Sequence, residues 1–267
     1  MPFPFSSSII YRPSTDWVQD TAAATTKWSG LGDWDVSGVA DFSWAFSADR
    51  DATGGSYVPN GNPKAETFVG SDLIKWKTTA LTSLDNTFKE AKAMNSDLGG
   101  WNVAKVTDME ATFQHTYMFA GTGLGSWDTS SVTTLFYTFD NARAMNADLS
   151  RWTVGKVTTL KSTFRSASKF TGTGLSAWKV GEVTTLKDTF RSAPKFTGAG
   201  LPTWNIAKVT AMADTFTSAT SLASCAKRQI VDAWKSNAAF VTWDTAWATD
   251  TCPPLNDAMF KQASWGT

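Results

Sequence analysis

Apolar and polar positions along this chain repeat every 25 or 26 residues. Trp stands at 34, 76, 101, 127, 152, 178 and 204. From Trp76 onward every step is 25 or 26, and the first step is one period plus an insertion. Two neighbouring units, residues 156–178 and 182–204, are identical at 17 of 23 positions. A fixed period in the 20–50 range marks a stacked repeat architecture. Aligned on Trp, the apolar positions fall into columns. Leu lies three residues before each Trp, from Leu31 to Leu201. β-Branched residues follow at two, mostly Val at five, Leu, Met or Phe at eight, and Phe at twelve: Phe46, Phe88, Phe113, Phe139, Phe164, Phe190 and Phe216. Each unit has five or six inward positions, which only stacking on its neighbours can bury.

The W-x-V-x-x-V-T stretch is rich in β-branched residues and predicts a strand. The T-F-x-x-A-x-x-F stretch predicts a short helical turn. T-G-x-G at 171–174 and 197–200 supplies turns where positive φ is easy. The expectation is a repeat solenoid, mainly β with short helical turns, capped by an N-terminal and a C-terminal helix. Its divisions are an extended apolar tail (1–14), a capping helix (15–30) and seven repeats (31–223) with an insertion at about 47–72. A C-terminal cap (224–252) and an extended tail (253–267) follow. Ile230, Trp234 and Phe240 fall near one helical face of the second cap.

The repeat resembles a known one. Its pattern, L-x-x-W-[NDTK]-[VTI]-x-x-V-T-x-[LM]-x-x-T-F-x-x-A-x-x-[FM], is similar to the 25–26-residue repeat of the BspA-like surface proteins, also called the DUF285 or mycoplasma-lipoprotein-type repeat. WNVAKVTDMEATF (101–113) and WDTSSVTTLFYTF (127–139) match it best, and AMNADLSRW (144–152) resembles its linking segment. The likeness covers roughly residues 15–252. It implies a leucine-rich-repeat-like solenoid, secreted or surface-displayed, used for adhesion or protein binding, with no shared catalytic residues. Thr before the repeat Phe, where Met is usual, and the insertion at 47–72 depart from the pattern.

Composition narrows the function. The 267 residues carry 24 cationic and 24 acidic side chains. No global field therefore recruits nucleic acid or an anionic membrane. No apolar run approaches the ~18 residues of a membrane span, although peripheral association stays open. The start of the chain lacks a basic stretch followed by an apolar run, so a secretory signal is either absent or removed before this numbering. Cys225 and Cys252 are the two cysteines. They read as a disulfide closing the C-terminal cap in an oxidising compartment, with two free thiols as the alternative.

No catalytic constellation stands out, and no cofactor or metal is expected. The single His115 has no paired Cys and no Ser in a nucleophile elbow. Asp49 and Asp51 do not lie in a calcium-loop pattern. Three other features are candidates. Lys161, Arg165 and Lys169 recur 26 residues later as Lys187, Arg191 and Lys195, a basic stripe on neighbouring coils. Thr87, Thr112, Thr138, Thr163, Thr189 and Thr215 form a ladder. Pointing outward, it presents hydroxyls to ice; its alternative is side-chain bonding to backbone. The tails carry Phe3, Phe5, Ile9, Ile10 and Tyr11 at one end and Phe260 and Trp265 at the other, apolar groups suited to a partner.

The column Asp85, Glu110, Phe136, Lys161, Lys187, Ala213 runs from acidic through aromatic to basic over constant core columns. The expected role is a non-enzymatic scaffold that binds another protein through its flank and tails. One alternative is a peripheral accessory subunit of a large membrane-associated complex, on the luminal side of an organelle membrane. Another is a surface adhesin for glycan or ice. The expected location is the cell surface or an oxidising organelle lumen.

Overall fold

Each repeat closes one coil, and seven coils stack so that equivalent residues lie on top of one another. The computed structural model describes residues 11–51, 57–241 and 246–252. Six indoles form the spine. Trp76, Trp101, Trp127, Trp152, Trp178 and Trp204 follow one another with ring centroids 5.9–6.5 Å apart, nearly parallel. Each donates its Nε1–H to the carbonyl of the Leu column one coil earlier, as Trp127 does to Leu98 (3.0 Å) and Trp152 to Leu124 (2.8 Å). The Phe column stacks beside it at 5.5–5.8 Å per coil. Apolar burial drives the stacking, and offset aromatic contacts set its geometry.

The chain is not a mainly β solenoid. Among the described residues no β-strand forms. Neighbouring coils meet at single parallel bridges: Asp41 with Ser83, then Asp108, Thr134, Thr159, Thr185 and Ala211 in succession. The reason lies in the backbone donors. In a parallel sheet, successive N–H groups point to opposite neighbouring strands. Here every second donor turns back into its own coil. Ser162, Phe164 and Ser166 donate to Lys187, Thr189 and Arg191 of the next coil, at 2.8–2.9 Å. Thr163, Arg165 and Ala167 between them donate three residues back, at 3.1–3.3 Å. This alternation places Ser162 and Ser166 at φ of 55° and 57°, in the left-handed region, and the equivalent pair recurs on other coils. That conformation costs non-glycine residues about 1 kcal/mol each, offset here by the inter-coil bonds.

The two expected elements of the repeat are therefore both turns. W-x-V-x-x-V-T is bent between its two β-branched positions, where Val157 donates to the Val154 carbonyl (3.0 Å) and Val183 to Val180 (3.0 Å). T-F-x-x-A-x-x-F is a run of such turns with no helix. Short 3₁₀ turns instead precede the Trp, at Leu31–Asp33, Leu73–Lys75, Leu124–Ser126, Leu175–Ala177 and Leu201–Thr203.

Helices occur at the two ends. α1 (Tyr11–Gln19) and α2 (Thr21–Trp28) are separated by Asp20, whose carboxylate accepts the Ala23 amide at 3.0 Å as the N-cap of α2. Trp17 of α1 meets Trp34 edge-on at 5.9 Å. The inserted segment holds α1 in place. Arg50, fully buried, donates to the Ser14 (2.9 Å) and Thr15 (2.5 Å) hydroxyls, and Gln19 donates to Asn62 (2.6 Å). At the other end, α3 (Ser224–Trp234) lays Trp234 on Trp204 at 6.4 Å, extending the indole stack by one ring. Asn237 follows, and its Nδ2 donates to the carbonyls of Ile206, which also accepts the Val209 amide, and of Val209 (2.8 and 3.0 Å). α4 (Ala238–Val241) comes next. Cys225 and Cys252 are joined by a disulfide that ties the chain after α4 to the start of α3.

Candidate functional site

The bridges run down one face of the stack, which we call the bridge face. The bridging residue is Asp, Ser or Thr on six of the seven coils because its side chain caps the amide two residues on. Asp41 accepts from Ser43 (2.8 Å), Asp108 from Glu110 (2.8 Å), Thr134 from Phe136 (3.2 Å) and Thr159 from Lys161 (3.2 Å). That capped residue is the variable one. One backbone device therefore aims a column of unlike side chains at solvent: Asp85, Glu110, Phe136, Lys161 and Lys187, with Ala213 beyond. Beside it runs an exposed, uniform Thr column at 82, 107, 133, 158, 184 and 210, each hydroxyl bonded to the carbonyl of the preceding coil.

The face is graded in charge. Asp41, Asp85, Asp108 and Glu110 gather on its first three coils, and none has an ion pair among the described residues. Burial, then repulsion from Asp108 and Glu110, push the Asp85 carboxyl up to about 7. Burial and Asp108 likewise raise Glu110. The fourth coil is aromatic, with the Phe136 and Tyr137 rings 4.1 Å apart. Lys161 stands 4.8 Å over Phe136, and the Arg165 guanidinium 5.2 Å from Tyr137. Lys187 lies one coil further, exposed.

The raised Asp85 value has a measurable consequence. The native state keeps this proton to a higher pH than the unfolded chain, whose Asp titrates at about 3.9. The stability contribution of this group is greatest below that value and falls as pH climbs through 7. Asp85→Asn removes the ionisation. It should raise unfolding stability at pH 8 by about 1–2 kcal/mol, solvent screening having reduced the effect of a partly exposed group, and leave it unchanged near pH 4. Urea unfolding of dilute protein at both pH values checks this; an equal effect at both would contradict it.

The basic stripe is narrower than the sequence suggests. Arg165 forms a two-pronged pair with the buried Asp140 (2.8 and 2.7 Å). Arg191 pairs with Asp188 (3.0 Å) and Asp214 (3.5 Å). Lys161 and Lys187 remain on the bridge face, and Lys169 and Lys195 are exposed further along their coils, none of the four ion-paired among the described residues. Asp140 also accepts from Gln114 (2.9 Å), and His115 beside it lies against the Glu90 carboxylate. The spacing of Glu90, His115, Asp140 and Arg165, near one period, was the available signal for this network. Asp49 accepts from the Asn60 amide and pairs with Lys89 (3.3 Å).

The Thr ladder before the repeat Phe is fully buried. Thr163 donates to Leu135 of the previous coil (2.8 Å), and Thr189 to both Leu160 (2.9 Å) and Leu186 (2.7 Å). Its hydroxyls tie coils together and present no array to ice. Phe3, Phe5, Ile9, Ile10, Phe260 and Trp265 lie outside the described residues, as does the side chain of Tyr11. No described helix is long and apolar enough to cross a membrane.

The family described as "Mycoplasma protein of unknown function, DUF285" matches residues 17–152 and 119–234. No curated protein and no solved structure matched. The two matches overlap and run from α1 through all seven coils to the end of α3. The chain therefore belongs to the DUF285 family.

Proposed function

We propose that this chain is a non-enzymatic binding module whose bridge face docks another protein, with the terminal segments as further contacts. The observation that carries this reading is the contrast between columns on one face. The outer Thr column is the same residue on six successive coils, while the capped column on the same face changes from carboxylate to phenyl to ammonium. A face that binds a repetitive lattice needs like residues on every coil. A face that recognises one protein needs complementary charge and a half-buried aromatic centre. The Cys225–Cys252 bond suits an oxidising compartment, and that and the family are compatible with a cell-surface or extracellular location.

The test is retention from the native source under mild detergent by immobilised wild-type protein and by a Phe136→Ala/Lys187→Glu variant, read by mass spectrometry. A stoichiometric partner held by the wild type and released by the variant is expected. Retention that no substitution on the bridge face alters would overturn the reading.

A further inference from the structure

We propose that the partner of the bridge face is the bridge face of a second copy, arranged antiparallel about a twofold axis through Phe136. This rests on the reading that the face docks a protein, and it names that protein. The carrying observation is an order of side chains. One residue per coil, held in step by the bridges from Ser83 to Thr185, the column reads Asp85, Glu110, Phe136, Lys161, Lys187. It is antisymmetric about its centre. Acids stand one and two coils to one side of Phe136, and bases stand one and two coils to the other. A twofold axis lying in the plane of the contact, perpendicular to the column and level with Phe136, sets Phe136 against Phe136 of the second copy. The same rotation sets Glu110 against Lys161 and Asp85 against Lys187, and each pair occurs twice. An isologous contact demands this self-complementarity. A parallel arrangement would set acid on acid and base on base.

The charges that the axis would match are those left unmatched within one chain. Neighbouring columns neutralise themselves, Arg165 with Asp140 and Arg191 with Asp188. Asp85, Glu110, Lys161 and Lys187 have no ion pair among the described residues. The bridging column strengthens the polarity without opposing it. It is acidic at Asp41 and Asp108 and neutral at Thr134, Thr159 and Thr185. The adjoining exposed Thr column carries no charge on any of its six coils, so it sets no repulsion against its twofold image. At the centre, Phe136 and Tyr137 form a half-buried aromatic pair with cations over both rings. Aromatic centres with charged surrounds are where binding energy concentrates.

The test uses the full chain and two charge reversals of the face. Asp85→Lys/Glu110→Lys makes the charged positions of the capped column all basic, and Lys161→Glu/Lys187→Glu makes them all acidic. Sedimentation velocity at pH 8, where the Asp85 carboxyl is ionised, at about 20 mM and about 0.5 M salt reads association, since the higher salt screens exposed pairs. The wild type is expected to sediment at low salt as a dimer of the 28.9 kDa chain. Its dissociation constant should weaken at least tenfold at high salt. Each variant alone should be monomeric, and their equimolar mixture should form a one-to-one heterodimer, because basic column then meets acidic column. A wild type that is monomeric at about 100 µM in low salt, or a mixture that does not associate, overturns the proposal. Phe136→Cys gives a second readout that needs neither reversed chain to fold. With oxidised glutathione as oxidant, a residue on the axis should link covalently to itself, whereas Lys187→Cys should not. The reverse pattern overturns the axis. If the wild type is monomeric yet both reversals release another retained protein, self-pairing is wrong and the broader reading stands. If neither association nor retention responds, both fall.

Discussion

Trp127→Ala is expected to remove about 4–5 kcal/mol of stability, a large fraction of the 5–15 kcal/mol typical of a folded domain. Trp127 is 2% exposed and lies in the middle coil. Its ring stacks on Trp101 at 6.5 Å and on Trp152 at 6.3 Å, and leans on Phe113 at 6.1 Å. Truncation opens a cavity against three rings, none of which can collapse without shifting its own coil. It also strips the Leu98 carbonyl of its indole donor. In a stacked array each unit is stabilised by its two neighbours, so a defect in the middle weakens two interfaces at once. Urea unfolding measures the effect. Trp127→Phe keeps a ring in the stack but loses the Nε1–H, and should cost less than half as much. A loss below about 2 kcal/mol for the alanine variant would mean that the coils do not pack as described.

Gly174→Ala is expected to cost about 3–4 kcal/mol and lower Tm by about 6–12 °C. Gly174 has φ of 91°, where a side chain is strained. An added Cβ would also lie 2.2 Å from the Ser150 amide nitrogen and 2.6 Å from the Leu149 carbonyl carbon. Those are backbone atoms of the preceding coil and cannot rotate away, so coils five and six would have to part. Gly155→Ala is the control, since nothing lies within 4 Å of its added Cβ. Differential scanning calorimetry of the two variants should give a large shift and almost none. Equal shifts would remove the close approach of coils as the reason for the T-G-x-G segments.

Much of the architecture was legible because stacked repeats write their contacts into spacing. Trp76 meets Trp101, and Phe164 meets Phe190, at one period along the chain. The graded column was legible for the same reason, as position alone assigns Asp85, Glu110, Phe136, Lys161 and Lys187 to one line. The path of the backbone was not. Val154 and Val157 both point inward and both favour strands, yet an i to i−3 turn joins them. Inward spacing is satisfied equally by a strand and by a turn, and propensity decides only when packing does not. The direction of Thr163 was equally hidden. Its neighbour Phe164 is buried, and strict alternation would place Thr163 outside; the turn breaks that alternation and buries both.

The sequence by itself determined the repeat, its period, the inward columns and the family, because these depend on residue identity at fixed separations. Only the tertiary structure decided where each N–H goes, which cations are free and which face carries the gradient. Those depend on groups about 25 residues apart meeting in space. Arg165 reads as one cation among nine between residues 151 and 195. Only stacking places it on Asp140 of the preceding coil and leaves Lys161 and Lys187 facing solvent without a carboxylate.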